Sequence, residues 1–140
     1  MPHLDPEHTR HAVELACRLG ARRGSRILLL APLAVDWELP LDAYFDAEEA
    51  RLHEELAEER ALAESYGVTA KAEVVRARPG ELGQRVAETA RDVGAALIVL
   101  GAPATPARGR GRPFSNDVWS VLVDAPCPVM IATGPARAAA

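Results

Sequence analysis

The chain of 140 residues is 49% hydrophobic, 26% charged and only 4% aromatic, with a net charge of −4. It is long enough for one domain, residues 1–140, around one core of Val, Leu, Ile and Ala, and its acidic balance gives no support to general nucleic-acid binding. No apolar run reaches the ~18–20 residues of a membrane span, the opening MPHLDPEHTRH carries no signal-peptide pattern, and two widely spaced cysteines, Cys17 and Cys127, make neither a disulfide framework nor a metal knuckle, so the cytoplasm is the expected compartment.

The first predicted element is a helix. Asp5 is a good N-cap, Pro6 suits the first helical position, and Glu7 suits the helix dipole. Ala12, Leu15, Ala16 and Leu19 make one stripe, and Gly20 is expected to close it. SRILLLAPLAV is apolar throughout and reads as a strand, with its Ala31-Pro32 end on the ligand side by the carboxyl-end rule of open α/β sheets. The connection VDWELPLDAYFDA holds Trp37, Tyr44 and Phe45, which are expected to pin the loop onto the core.

AEEARLHEELAEERALAESYG is a long amphipathic helix with Leu52, Leu56, Ala63 and Tyr66 on one face and Gly67 as its C-cap. Its Glu and Arg residues, three and four apart, are surface pairs rather than catalytic carboxylates. VTAKAEVVRA is strand-like, alternating Val68, Ala70, Ala72 and Val74 with Thr69, Lys71 and Glu73, as at a sheet edge. After the Pro79-Gly80 turn, Leu82, Val86, Ala90 and Val93 line a third helix, stopped by Gly94. ALIVLG is a continuous apolar run, as expected of a strand covered on both faces.

Residues 102–113 contain three Pro, two Gly and three Arg, so neither helix nor strand runs through them. Ser115 then reads as an N-cap, with Asn116 and Asp117 opening a short helix that presents Val118, Val121 and Leu122 on one face. The chain turns at residues 124–128 and ends on a short buried strand, PVMIA, before a frayed tail. The alternation α-β-α-β-α-β-α-β with right-handed crossovers predicts an α/β fold: an open parallel sheet with helices on both faces.

The loop after ALIVLG carries the strongest chemical signal. A glycine loop leaving a parallel strand and entering a helix N-terminus presents backbone N–H groups and the positive end of a dipole to an anion, most often phosphate. Gly101, Ala102, Gly109, Gly111, Ser115, Asn116 and Asp117 line this path; Arg108, Arg110 and Arg112 add charge, and the glycines admit close backbone approach. An anion site and a solvated crossover loop are both compatible with the pattern, which is not a Walker A.

The segment GAP…GRGRPFSNDVWSVLVDAPCPVMI resembles the carboxyl-terminal signature of universal stress protein domains, and Ala125-Pro126-Cys127-Pro128-Val129 is its most specific match. The resemblance extends over nearly the whole chain. It implies a Rossmann-like three-layer sandwich that binds ATP or another adenine nucleotide, with Mg²⁺ accompanying it, through the Ala31-Pro32 strand end and the Gly101–Asp117 loop. In the nucleotide-binding branch the loop reads Gly-x2-Gly-x9-Gly-Ser/Thr. Here Gly101 fits the first position, Ala104 stands at the second, and the Gly-Ser pair falls on Ser115-Asn116 with one extra residue in the loop. In the family, the connection that here holds Trp37 often leads over the cleft.

The family also opens with a central strand ending in an Asp near the adenine. This chain begins already in the following turn, and that Asp position falls on Leu4. Three arrangements fit: a fragment of a longer protein, a mis-assigned start, or a sheet one strand short whose gap is closed by rearrangement or by a partner chain. The resemblance further implies a homodimer through the last strand, Pro128 to Ala132. The runs LDPEH and RGRPF look like universal-stress domains attached to amino-acid permeases, so a transporter is a candidate partner. A non-nucleotide dimerisation or interaction module is the alternative function.

Other constellations favour bland readings. Glu7, His8 and His11 have metal-like spacing but no further ligand to complete a site, so a solvated helix face is expected. Cys127 reads as a small buried residue rather than a redox thiol. No nucleophile-elbow sequence, general base or metal carboxylate pair points to catalysis, and an ATP hydrolase ranks last.

Overall fold

The structure is a computed structural model that describes residues 6–101 and 116–132. Its elements follow the predicted order: α1 (Pro6–Arg23), β1 (Ile27–Ala34), α2 (Asp46–Ser65), β2 (Ala70–Ala77), α3 (Leu82–Val93), β3 (Ile98–Gly101), α4 (Asn116–Asp124) and β4 (Val129–Ala132). Both strand pairings are parallel, as the intervening helices require.

The strands form two pairs. β1 pairs with β2 from Ile27 opposite Ala70 to Ala34 opposite Ala77. β3 pairs with β4 from Ile98 opposite Val129 to Gly101 opposite Ala132. Among the described residues β1 and β3 share no ladder. The break falls where the family resemblance places its first, central strand.

Packing joins the two halves. Leu29, Ala31 and Leu33, on one face of β1, form a core with Val13 and Cys17 of α1 and Leu52, Leu56 and Ala63 of α2. A second cluster joins Ala90 of α3, Ile98 of β3 and Val121 of α4. α1 packs against β1, β3 and β4, and α3 against β1 and β2 as well as α4. Two helical layers therefore span both strand pairs.

Several details differ from the sequence reading. Gly20 does not end α1; it is buried within the helix, and a Cβ there would sit 3.5 Å from Ile27 Cδ1. Gly24, at φ +67°, follows the last helical residue, Arg23, because a left-handed turn is needed there and glycine adopts it without strain. The α1 stripe is also rotated: Ala12, Val13 and Cys17 are buried, while Leu15, Ala16 and Leu19 are only partly covered. On α3 the buried residues are Gly83, Ala87 and Ala90, while Val93, its last residue, is exposed. Small residues on that face bring the helix close to its neighbours, which spacing of large apolar residues cannot reveal. β3 is less enclosed than its composition implies: only Ile98 is buried.

Candidate functional site

The described residues of the predicted site lie on the carboxyl-terminal halves of β1 and β3 and at the start of α4. In a parallel ladder a residue directs its N–H and C=O to one side, and its neighbour directs them to the other. Ile27 N–H donates to Thr69 O (3.0 Å) and Val35 N–H to Ala77 O (2.9 Å), so odd-numbered residues of β1 serve the ladder with β2. Ala31 is among them and its side chain is buried in the core. It shapes the strand end but has no group left for a ligand. Pro32 is half-buried, lies on the opposite register and has no N–H, so it offers only a carbonyl.

Gly101 is the last residue of β3, half-buried and opposite Ala132. The chain re-enters the described structure at Asn116, the first residue of α4, with Asp117 next. Val118 and Val121 are buried and hold this helix on the second core. Ala102, Gly109, Arg110, Gly111 and Ser115, with Arg108 and Arg112, lie outside the described residues. What is placed is the frame of the loop: a glycine-ended strand, a helix start, and a parallel strand beside the first.

Two arginines that the sequence reading passed over organise the neighbouring loop. Arg76 donates to the carbonyls of Leu41 (3.0 Å) and Ala43 (2.7 Å) and pairs with Glu49. Arg78 donates to the carbonyls of Asp36 (2.6 Å) and Leu39 (2.5 Å), with its guanidinium 5.6 Å from the centre of the Trp37 ring. The aromatic-pin expectation holds only for Phe45, which packs on the first core. Trp37 is 65% exposed and Tyr44 90%. The loop is held by guanidinium groups capping its carbonyls. The alternate spacing of Arg76 and Arg78, the second just past the end of β2, is the sequence signal from which they could have been found.

Two surface depressions lie along β2 and the helices beside it. One of about 410 Å³ follows α2 and β2, lined by His53, Leu56, Arg60 and Ala72. One of about 270 Å³ lies at the carboxyl end of β2, between Leu41, Arg78, Glu81 and Arg85. Its cations are committed: Arg78 to the loop carbonyls and Arg85 to Glu88 at 3.6 Å. Neither is a ready phosphate pocket. Among the described residues no three His, Cys, Asp or Glu side chains gather as a metal site, and no helix is long and apolar enough to cross a membrane. Cys17 is fully buried, and that burial, with Glu14 nearby, raises its thiol pKa, which suits an inert core residue.

A family model, that of the universal stress protein family, matches residues 2–133. The chain belongs to that family. A search of curated proteins finds no match. Solved universal stress proteins share the fold at low identity. One from Archaeoglobus fulgidus, in complex with dAMP, has a TM-score of 0.67 at 17% identity, over 89% of this chain and 87% of that one. One from Burkholderia pseudomallei has a TM-score of 0.64 at 22% identity, over 86% and 83%. One from Arabidopsis thaliana, with AMP bound, has a TM-score of 0.57 at 21% identity, over 89% and 77%. In this universal stress protein the α/β architecture with parallel strands is therefore the family's own.

Proposed function

We propose that this chain is a regulatory module that takes an adenine nucleotide at the carboxyl ends of β1 and β3. The observation that carries the reading is the crossover itself: β3 ends in Gly101, its loop leads to the N-terminus of α4, and β4 returns parallel to β3. That arrangement turns the positive end of a helix dipole toward the loop beyond the strand ends, where a phosphate is stabilised. Gly109, Gly111, Ser115 and Asn116 would face the phosphates, Arg110 would neutralise them, and a Mg²⁺ ion would enter only with the nucleotide. The dAMP and AMP complexes of relatives support the ligand class. ATP is the nucleotide to try first.

One observation favours the alternative of an interaction module without nucleotide. Pro32 removes a backbone donor from the carboxyl end of β1, where a base edge would be read. Calorimetric titration with ATP·Mg²⁺, after an aliquot is denatured to release any co-purified nucleotide, separates the two. Binding that is lost in Gly109→Val/Gly111→Val with the fold intact supports the nucleotide reading. No heat and no released nucleotide supports the interaction module. Dimerisation through β4 belongs to both readings.

A further inference from the structure

β2 has an edge whose sequence is complementary to itself. Ile27 lies opposite Ala70 and donates its N–H to Thr69 O, so Lys71, Glu73 and Val75 serve the ladder with β1. Ala70, Ala72 and Val74 direct their N–H and C=O groups to the other side, where no strand lies among the described residues. Both ends of this row are closed. Val68 N–H donates to Ala63 O at 3.0 Å, and Arg85 Nε–H donates to Arg76 O at 3.4 Å. The open stretch runs from Ala70 to Val74, with Ala72 at its centre.

Lys71 and Glu73 flank that centre, and both are exposed. We propose that the outer edge of β2 is a self-association surface, on which a second copy of this chain continues the sheet through its own β2. With the strands antiparallel about a two-fold axis at Ala72, Ala72 exchanges backbone hydrogen bonds with the second copy's Ala72, and Ala70 with the second copy's Val74. Lys71 then stands opposite the second copy's Glu73 as a non-hydrogen-bonded pair, with Cα atoms about 4.5 Å apart. Neighbouring registers lose this match. A centre at Lys71 opposes two lysines, a centre at Glu73 opposes two glutamates, and a centre at Ala70 or Val74 leaves each charge facing an uncharged residue.

The helix beside the edge fits the same axis. Ala72 borders the depression of about 410 Å³ whose other wall is α2, with Ala57, Arg60, Ala61 and Glu64. Rotation about an axis normal to the sheet leaves the second copy's α2 on the same face, next to this one. Ala57 and Ala61 are small and exposed, so the two helices meet without a bulky side chain between them. An isolated edge lysine guards a strand against pairing, but here Glu73 supplies its counter-charge within the same strand. The paired stretch is short, so the contact is weak and forms toward millimolar concentration, as a step separate from dimerisation through β4.

Sedimentation equilibrium of the full chain, from micromolar to millimolar concentration, tests the register. The samples are the parent protein, Lys71→Glu, Glu73→Lys, the variant carrying both exchanges, and an equimolar mixture of the two single variants. Each single variant opposes like charges and should weaken the millimolar step at least tenfold. The double exchange and the mixture restore opposite pairs and should associate as the parent does. No millimolar step in the parent, or single variants that associate like it, overturns the proposal. Should a variant fail to fold, residue-resolved amide hydrogen exchange on the parent still decides. Exchange at Ala72 and Val74 should slow as protein concentration rises, while Lys71 and Glu73 stay unchanged. Protection of Ala72 and Val74 that is independent of concentration assigns the edge to the chain itself and overturns the proposal, as does the lack of any protection at millimolar protein.

Discussion

Replacing Arg76 with alanine should loosen the 36–45 loop and measurably lower stability. The side chain makes two hydrogen bonds to loop carbonyls, at 3.0 and 2.7 Å to Leu41 and Ala43, and an ion pair to Glu49. Both partners of the pair are about a quarter exposed, at 26% and 28%, so water screens it only in part. Hydrogen bonds from charged groups contribute ~1.5–3 kcal/mol each in well-shielded sites. With exposure discounted and Glu49 left without its cation, the expected loss is about 2–3 kcal/mol. For a chain of 140 residues an unfolding entropy of ~2.1 cal/mol/K per residue turns that into a fall in Tm of about 7–10 °C.

Circular-dichroism melts of the parent protein, Arg76→Ala and Arg76→Met measure this. The methionine keeps most of the apolar stem, so its deficit isolates the polar part. A cycle with Glu49→Gln should give a coupling energy of about 1 kcal/mol. Limited proteolysis should show faster cutting within residues 36–45 in both arginine variants. A Tm fall below about 2 °C for Arg76→Ala, with unchanged proteolysis, would refute the clamp.

Three further outcomes follow from the packing and electrostatics. Gly20→Ala should stabilise the fold by about 0.5–1 kcal/mol in a denaturant melt, since a helical glycine is replaced and the new Cβ meets Ile27 and Ser25 at ordinary contact distances of 3.5 and 3.6 Å; destabilisation would mean that the helix and β1 are packed more tightly than this. Glu59, raised to about 7 by burial first and then by the charges of Glu55 and Glu58, holds a proton more firmly in the folded state than unfolded. Stability should therefore decline as pH rises from about 4.5 to about 7, and Glu59→Gln should flatten that decline, with a gain of order 1–2 kcal/mol at pH 8; an unchanged pH profile would count against it. If β4 forms a dimer edge, light scattering should find a dimer at micromolar concentration. Ile131→Pro should yield a folded monomer, because that amide points away from β3.

The alternation of elements and most of their bounds were legible because they depend on local chemistry. Apolar runs such as ILLL and ALIVLG, the glycines at positions 67 and 94, and the prolines in the loops act within a few residues of themselves. The family resemblance was legible for the same reason, since Ala125 to Val129 is a contiguous run. The frame of the candidate site could be read as well, because a strand ending at Gly101 and a helix starting at Asn116 are neighbours in the chain. Its occupancy could not, since a loop's affinity depends on where its N–H groups converge.

Only the tertiary structure decided the rest. Arg76 and Arg78 read as alternating charges on an edge strand until carbonyls 33 to 42 residues away, those of Leu41, Ala43, Asp36 and Leu39, were placed beside them. Gly20 reads as a helix stop because propensity favours that, and packing against Ile27 overrules it. The separation of β1–β2 from β3–β4 among the described residues is a matter of pairing across long sequence separations. Backbone hydrogen bonds carry no side-chain signature, so the sequence by itself determined which segments are strands, and the folded chain alone determined which of them meet.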